Sequence, residues 1–393
     1  MSRRTSRVRQ ALLLAIFLVF LGATGGCKQA PWTFWDAYAA HFIDAQGRVI
    51  DPKGGNRTTS EGQSYALFFS LVANDRPRFD RLLTWTQTNM AGGNLGAHLP
   101  GWLWGKSTDD TWKLLDTNPA ADADIWIAYS LLEAGKLWKS PAYTDLARQM
   151  MAQIAKQEVA DLPNFGLMLM PGTTELFKHG QTWTVNPSYL PIFIFSQFAA
   201  VDKAGPWRLI ALNIPRLLEQ SSRHGFVMDW VDFVPSDGFY PGSSTVGAEP
   251  AKDTPPAVGS YDAIRVYLWA GMLDGNGPMR SHLIGTLSGM GSYLDNHNAP
   301  PEKVSDQGIP AEQDGPVGFS AAVLPYLKTF PNLERVAVLQ KIRISAQLDR
   351  STGLYGKDPA YYDQNLILFS TGFLEGRFRF GSQGELKVEW TRS

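Results

Sequence analysis

Thr59-Ser60-Glu61-Gly62-Gln63-Ser64-Tyr65-Ala66 opens the segment that decides the fold. Ser60 followed three positions later by Gln63 has the form of a capping box, and Tyr65, Phe68, Phe69 and Val72 recur at helical spacing. The pattern predicts an amphipathic helix with Glu61 in its first turn, beside Gly62, which leaves room for something to approach. The first N–H groups of a helix lack intrahelical partners, so a carboxylate there is either a dipole partner or a reagent. For an arbitrary first-turn glutamate, dipole compensation is the commoner role. Company elsewhere in the chain changes that.

Asp122, in Asn118-Pro119-Ala120-Ala121-Asp122-Ala123-Asp124-Ile125-Trp126, precedes a run whose apolar face is Ile125, Ala128, Tyr129 and Leu132. Asp262, in Gly259-Ser260-Tyr261-Asp262-Ala263-Ile264-Arg265-Val266-Tyr267, opens a third helical run, with Arg265 one turn on. Taken singly, each acid reads as a cap. If the helices assemble with these ends together, three carboxylates converge at one rim of an all-helical domain. That geometry suits glycoside hydrolysis, in which one protonated carboxyl donates to the leaving oxygen and a second activates water.

The segments TTSEGQSYAL, GWLWGK, NPAADADIWIAYSLLEAG, NPSYLP, GSYDAIRVYLW, GPVGFSAAVLP and RFRFGSQGEL together resemble glycoside hydrolase family 8. The resemblance runs from about Pro31 to about Trp390 and is strongest for the periplasmic branch encoded with bacterial cellulose synthases. It implies an all-α fold, an (α/α)6 barrel with minor β-hairpins, and hydrolysis of β-1,4-glucan with inversion at the anomeric carbon. It also implies roles. Glu61 aligns with the general acid, Asp262 with the water-activating base, and Asp122 with the residue that positions the sugar at the cleavage point. Tyr189, in Asn186-Pro187-Ser188-Tyr189, is a candidate to hold the attacking water, and Arg265 to orient Asp262; the plainer reading of Arg265 is an i,i+3 ion pair. Trp102, Trp104, Trp126, Trp183, Trp230 and Tyr362 are candidate sugar-binding rings, Trp104 foremost, although core packing uses the same side chains.

Composition bounds the function independently. The 393 residues are 44% hydrophobic and 12% aromatic, enough to bury a large core. Charged residues make up only 19%, while thirteen tryptophans suggest stacking platforms for sugar faces. A net charge of −1 gives no basic field and argues against nucleic acid as a partner. A neutral polysaccharide fits. The six histidines show no metal-ligand spacing, and Gly105-Lys106-Ser107 ends like a phosphate loop but has Pro100 where the first glycine belongs. No metal and no cofactor are expected.

The N-terminus reads as an export signal. Arg3, Arg4, Arg7 and Arg9 precede an apolar stretch from Ala11 to Leu21 and then small residues, too short a run for a comfortable membrane span. Residues 1–27 are expected to be removed, leaving 28–393 as a single catalytic domain without a transmembrane span, in the periplasm or secreted. Removal takes four positive charges from the balance of −1, leaving −5. Cys27, the only cysteine, follows Gly25-Gly26 and is a candidate for lipidation, but Thr24 weighs against it. Internal disulfides are excluded, so packing must stabilise the fold.

Further along, Phe79, Leu82, Leu83 and Thr86 predict a helix that pairs with the Glu61 helix across the Asn74-Asp75-Arg76-Pro77 break. Leu209, Leu212, Ile214 and Leu217-Leu218 make another run, and Val266–Met272, Leu283–Leu294, Ala321–Tyr326 and Leu366–Phe373 add more. Arg377–Phe380 and Glu385–Val388 flank a Gly-rich turn, as in a β-hairpin. The expected partners are β-1,4-glucan chains and, through the family resemblance, the cellulose synthase and export machinery. Two alternatives stand beside this reading: another β-1,4-polysaccharide (xylan, mixed-linkage glucan, chitosan), or a non-catalytic polysaccharide-binding protein. The second would keep the aromatics and lose Glu61 or Asp262, yet both are present.

Overall fold

A computed structural model describes residues 31–222, 224–242, 257–275 and 278–391. The expected export segment 1–27, with Cys27, lies outside them. Among the described residues, thirteen α-helices alternate between two concentric layers. The outer layer holds α1 (Thr33–Phe42), α3 (Arg76–Met90), α5 (Pro141–Gln157), α7 (Trp207–Ser221), α9 (Pro278–Thr286) with α10 (Ser288–Leu294), and α12 (Glu334–Ala346). The inner layer holds α2 (Ser60–Val72), α4 (Ala121–Leu137), α6 (Ile192–Val201), α8 (Ile264–Met272), α11 (Val317–Leu327) and α13 (Tyr361–Leu374). Each inner helix packs on an outer one: α2 on α3, α4 on α5, α6 on α7, α8 on α9, α11 on α12 and α13 on α1. This is an (α/α)6 barrel.

Burial separates the layers. Every residue of α8 and α11 is buried, as is every residue of α2 except Glu61. A helix apolar all round belongs in a core, because it touches neighbours on both sides, an outer helix and the barrel axis. The Glu61 helix is therefore not amphipathic as its spacing suggests. The outer helices keep a stripe: α7 turns Trp207, Ile210, Ile214, Leu217 and Leu218 inward. Leu209 and Leu212, which looked like part of that face, are 53% and 50% exposed. The Leu283–Leu294 run is two helices, broken at Leu287.

Trp126, on α4, fills the axis. Its indole meets Tyr65 and Phe68 of α2, Phe193 of α6, Trp269 of α8 and Phe369 of α13, with centroids 5.0–5.9 Å apart. Phe369 closes the ring between α13 and α2, at 4.6 Å from Phe69. The expected terminal hairpin is present, Phe378–Phe380 pairing with Leu386–Val388. It seals one end, with Phe380 stacked on Phe193 at 3.8 Å. Glu133, near the C-terminus of α4, accepts hydrogen bonds there from Leu386 N at 3.0 Å and Gln197 Nε2 at 2.5 Å.

Short strands feed the N-termini of the inner helices at the other end. Thr58–Thr59 pairs with Gly101–Lys106 and runs into α2, and Trp112–Pro119, the next strand of that sheet, runs into α4. Thr182–Val185, paired with Val231–Val234, leads through the short turn Pro187–Tyr189 to α6. Val258–Gly259, paired with Val304–Ser305, leads to α8. One rim thus gathers four inner-helix entrances.

Candidate active site

Glu61 sits in the first turn of α2, and the cap is Thr59, whose Oγ1 accepts from Gly62 N at 3.1 Å. The expected capping box on Ser60 and Gln63 does not form. Strand pairing runs through Thr59, so the chain turns into the helix one residue earlier than the motif suggests. Gln63 serves the tertiary structure instead: its Oε1 accepts from Val49 N at 2.6 Å and its Nε2 donates to Thr86 Oγ1 at 2.8 Å. The room left by Gly62 is filled by Val49 and the ring of Tyr361.

The three carboxylates converge on Arg265. Its Nη1 donates to Glu61 Oε2. Its Nη2 donates to Asp262 Oδ1 at 2.6 Å and Ser188 Oγ at 2.8 Å, and lies 3.8 Å from Asp122 Oδ2. Arg265 is thus far more than an i,i+3 partner: it binds the entrances of α2, α4, α6 and α8 together. Exposure divides the acids. The side chains of Glu61 and Asp262 are 18% and 29% exposed, whereas Asp122 is 5% and Arg265 3% exposed. Glu61 and Asp262 therefore face the opening, with Asp122 beneath them.

Burial pushes Asp122 up to about 8; Arg265 opposes the shift, and the Glu61 and Asp262 charges add to it. One guanidinium faces three carboxyls, and the innermost keeps its proton near neutrality. Tyr361, at the start of α13, donates to Glu61 Oε1 at 3.0 Å. Asp229, half-buried, accepts backbone N–H bonds from Ser260, Asp262 and Ala263; burial, then the Asp262 charge, push it up to about 7. Neither Tyr361 nor Asp229 carries a local sequence signal, beyond the adjacency of Tyr361 to Tyr362.

The profile of the family described as Glycosyl hydrolases family 8 matches residues 6–375. The chain belongs to glycosyl hydrolases family 8. An endoglucanase of Xanthomonas axonopodis pv. citri (strain 306) is 43% identical over 94% of this chain and 92% of its own. An endoglucanase of Escherichia coli (strain K12) is 40% identical over 96% of this chain and 95% of its own. The crystal structure of endo-1,4-D-glucanase from Vibrio fischeri ES114 is 35% identical, with a TM-score of 0.83 over 92% of this chain and 100% of that one. The protein is a glycoside hydrolase.

The aromatic candidates of this family 8 hydrolase divide sharply. Trp126 is 1% exposed on the barrel axis and offers no face to a sugar. Trp183 is 4% exposed, with Phe233 against its ring at 6.1 Å and Lys178 over it at 5.0 Å. Both are core, because rings that stack on sugars and rings that fill cores look alike in a sequence. Tyr189 and Tyr362 are half-buried and flank Arg265, their centroids 5.7 and 5.9 Å from its guanidinium carbon. The Tyr362 hydroxyl donates to Tyr261 O. Trp230 stacks on Phe177 at 6.2 Å and meets Tyr189 at 6.4 Å. Trp102 and Trp104 are half-buried on the strand beside Thr58–Thr59. Trp104 is stacked on Trp112 at 5.1 Å, so that face is taken, and Trp112 is the 42% exposed partner that the sequence reading overlooked.

Proposed function

We propose that this protein is an exported endo-1,4-β-glucanase that cleaves β-1,4-glucan with inversion, using Glu61, Asp262 and Asp122. The supporting observation is the convergence of these three carboxyls, from the entrances of three inner helices, on one buried guanidinium. Glu61 donates its proton to the glycosidic oxygen as the C–O bond breaks. Asp262 removes a proton from the water that attacks the opposite face of the sugar. Asp122, buried and carrying a proton near neutrality, hydrogen-bonds the sugar at the cleavage point. It stays a positioning group, since an inverting reaction forms no glycosyl-enzyme intermediate. Tyr189, beside Arg265, completes the wall near Asp262 and holds the water.

The relatives named as endoglucanases support cellulose as the substrate class, and cutting within a chain requires an open groove rather than a closed pocket. Carboxymethylcellulose, xylan and chitosan compared side by side test this. Carboxymethylcellulose should lose viscosity well before reducing ends accumulate, with xylan and chitosan cut more slowly. Faster cleavage of xylan or chitosan would remove the glucan assignment while keeping the hydrolase.

The same reading places residues 28–393 as one catalytic domain in the periplasm or outside the cell, acting on nascent β-glucan during cellulose secretion. Among the described residues no helix is long and apolar enough to cross a membrane. In a cellulose-producing strain, exchanging the gene for its Glu61→Gln form should alter the amount or crystallinity of secreted cellulose. An unaltered polymer would reject the biological role and leave the chemistry standing.

A further inference from the structure

Asp229 sits just ahead of the strand Val231–Val234, far in sequence from the residues it holds. A single oxygen, Oδ1, accepts from Ser260 N at 2.7 Å, Ala263 N at 2.8 Å and Asp262 N at 3.1 Å. Its own N–H donates to Val258 O at 2.8 Å. The helix that follows, α8, has no side-chain cap of its own, Ala263 standing at its N-cap. The first helical N–H groups of α8 are taken by the carbonyls of Ser260, Asp262 and Ala263, so Asp229 does not cap the helix but holds, from a segment 31–34 residues away, the turn that leads into it. Gly259 makes the approach possible: a Cβ there would lie 1.9 Å from Val227 O.

Three N–H groups pointing at one oxygen fix the backbone of the segment 260–263, and with it the Cα–Cβ direction of Asp262. The Asp262 carboxylate is otherwise held by Arg265, whose guanidinium is shared with Glu61 and Ser188. That shared contact leaves the backbone fork as the anchor dedicated to this acid. Misplacing a reacting group by about 1 Å can cost on the order of 100-fold in rate.

We propose that Asp229 is the positioning residue of the water-activating carboxylate, aiming Asp262 through its backbone without touching substrate. This rests on Asp262 being the base. The charge of Asp229 is not what the geometry requires; an acceptor oxygen at that point is.

Four variants of the mature protein, assayed on a soluble cello-oligosaccharide with thermal melting in parallel, test the role. Asp229→Ala should lower kcat by about 10- to 100-fold, with KM within about twofold of the parent. Asp229→Asn keeps the acceptor oxygen and should return kcat to within a few-fold. Asp229→Glu keeps the charge but displaces the oxygen by a methylene, so it should be impaired like the alanine variant; it also stands in should that variant not fold. Parental kcat in Asp229→Ala, or equal loss in Asp229→Asn and Asp229→Glu, would overturn the proposal. Asp262→Asn separates the two readings. Parental turnover there removes the base assignment and this proposal with it. An inactive Asp262→Asn beside a fully active Asp229→Ala removes the positioning role alone.

Discussion

The Tyr361 hydroxyl donates to Glu61 Oε1 at 3.0 Å, joining the first turns of α13 and α2 across 300 residues of chain. Thr59 Oγ1 lies 3.3 Å from the same hydroxyl, so the residue that caps α2 also orients the tyrosine. Tyr361→Phe removes the donor and keeps the ring against Gly62. A hydrogen bond to the charge that develops on Glu61 as it gives up its proton contributes about 1.5–3 kcal/mol, so kcat should fall roughly 10- to 100-fold with the fold intact. Unchanged kcat on carboxymethylcellulose would show that Arg265 alone fixes Glu61.

Glu61→Gln should fold and bind oligosaccharide while losing turnover. General acid catalysis contributes on the order of 10²–10⁴-fold. Activity within a few-fold of the parent would move the acid elsewhere. Fresh product followed by NMR should appear as the α-anomer, and a substrate complex should show the Glu61 and Asp262 carboxyls roughly 6.5–9.5 Å apart. A β-anomer or a gap of about 5 Å, the retaining arrangement, would contradict the scheme.

Glu133 tests the other end of the barrel. It is fully buried, pushed up to about 7 by burial, and holds Leu386 N and Gln197 Nε2. Glu133→Ala strands both donors, and each buried donor left unpaired costs about 1–3 kcal/mol. Thermal unfolding should shift down by several degrees, with specific activity of the folded fraction at 25 °C unchanged. A melting temperature equal to the parent's would mean that the aromatic stack of Phe380 on Phe193 suffices to hold the hairpin.

Glu61, Asp122, Asp262 and Arg265 were legible because each lies in a short helix-entrance motif, where chemistry and local structure coincide. The capping box failed because Thr59 and Ser60 both carry cap-competent hydroxyls, and sheet pairing with Leu103, absent from any local pattern, chose between them. Trp126 and Trp183 were misread because a ring's neighbours come from remote segments: Trp126 owes its burial to five rings on four other helices. Asp229 was invisible for the same reason, since its partners lie 31–34 residues away. The all-round burial of α2 also has no local signature, because Ser64 and Ser70 interrupt its apolar run and are nevertheless buried.

Asp124 and Glu158 give the clearest stability prediction. Both are fully buried, and among the described residues none of their four carboxyl oxygens has a hydrogen-bond partner. Each carboxyl acts on the other's titration, and burial favours the protonated form of both. Burial first, then the Glu158 charge, raises Asp124 well above the usual carboxylate range; burial, partly offset by the neighbouring Asp124, pushes Glu158 up to about 8 from 4.5. A group with a raised folded pKa binds protons more tightly in the native state, so its stabilisation is complete below the unfolded value. It is lost as pH climbs through the folded one. Stability should therefore decline between about pH 4.5 and 8 on account of this pair. Glu158→Gln removes one titrating member and keeps the size and shape of the side chain. Melting temperatures of parent and variant should diverge between pH 5 and 8.5, the variant losing less. A constant offset across that range would show that the pair does not titrate, and that a cation or water compensates it within the wall of the barrel.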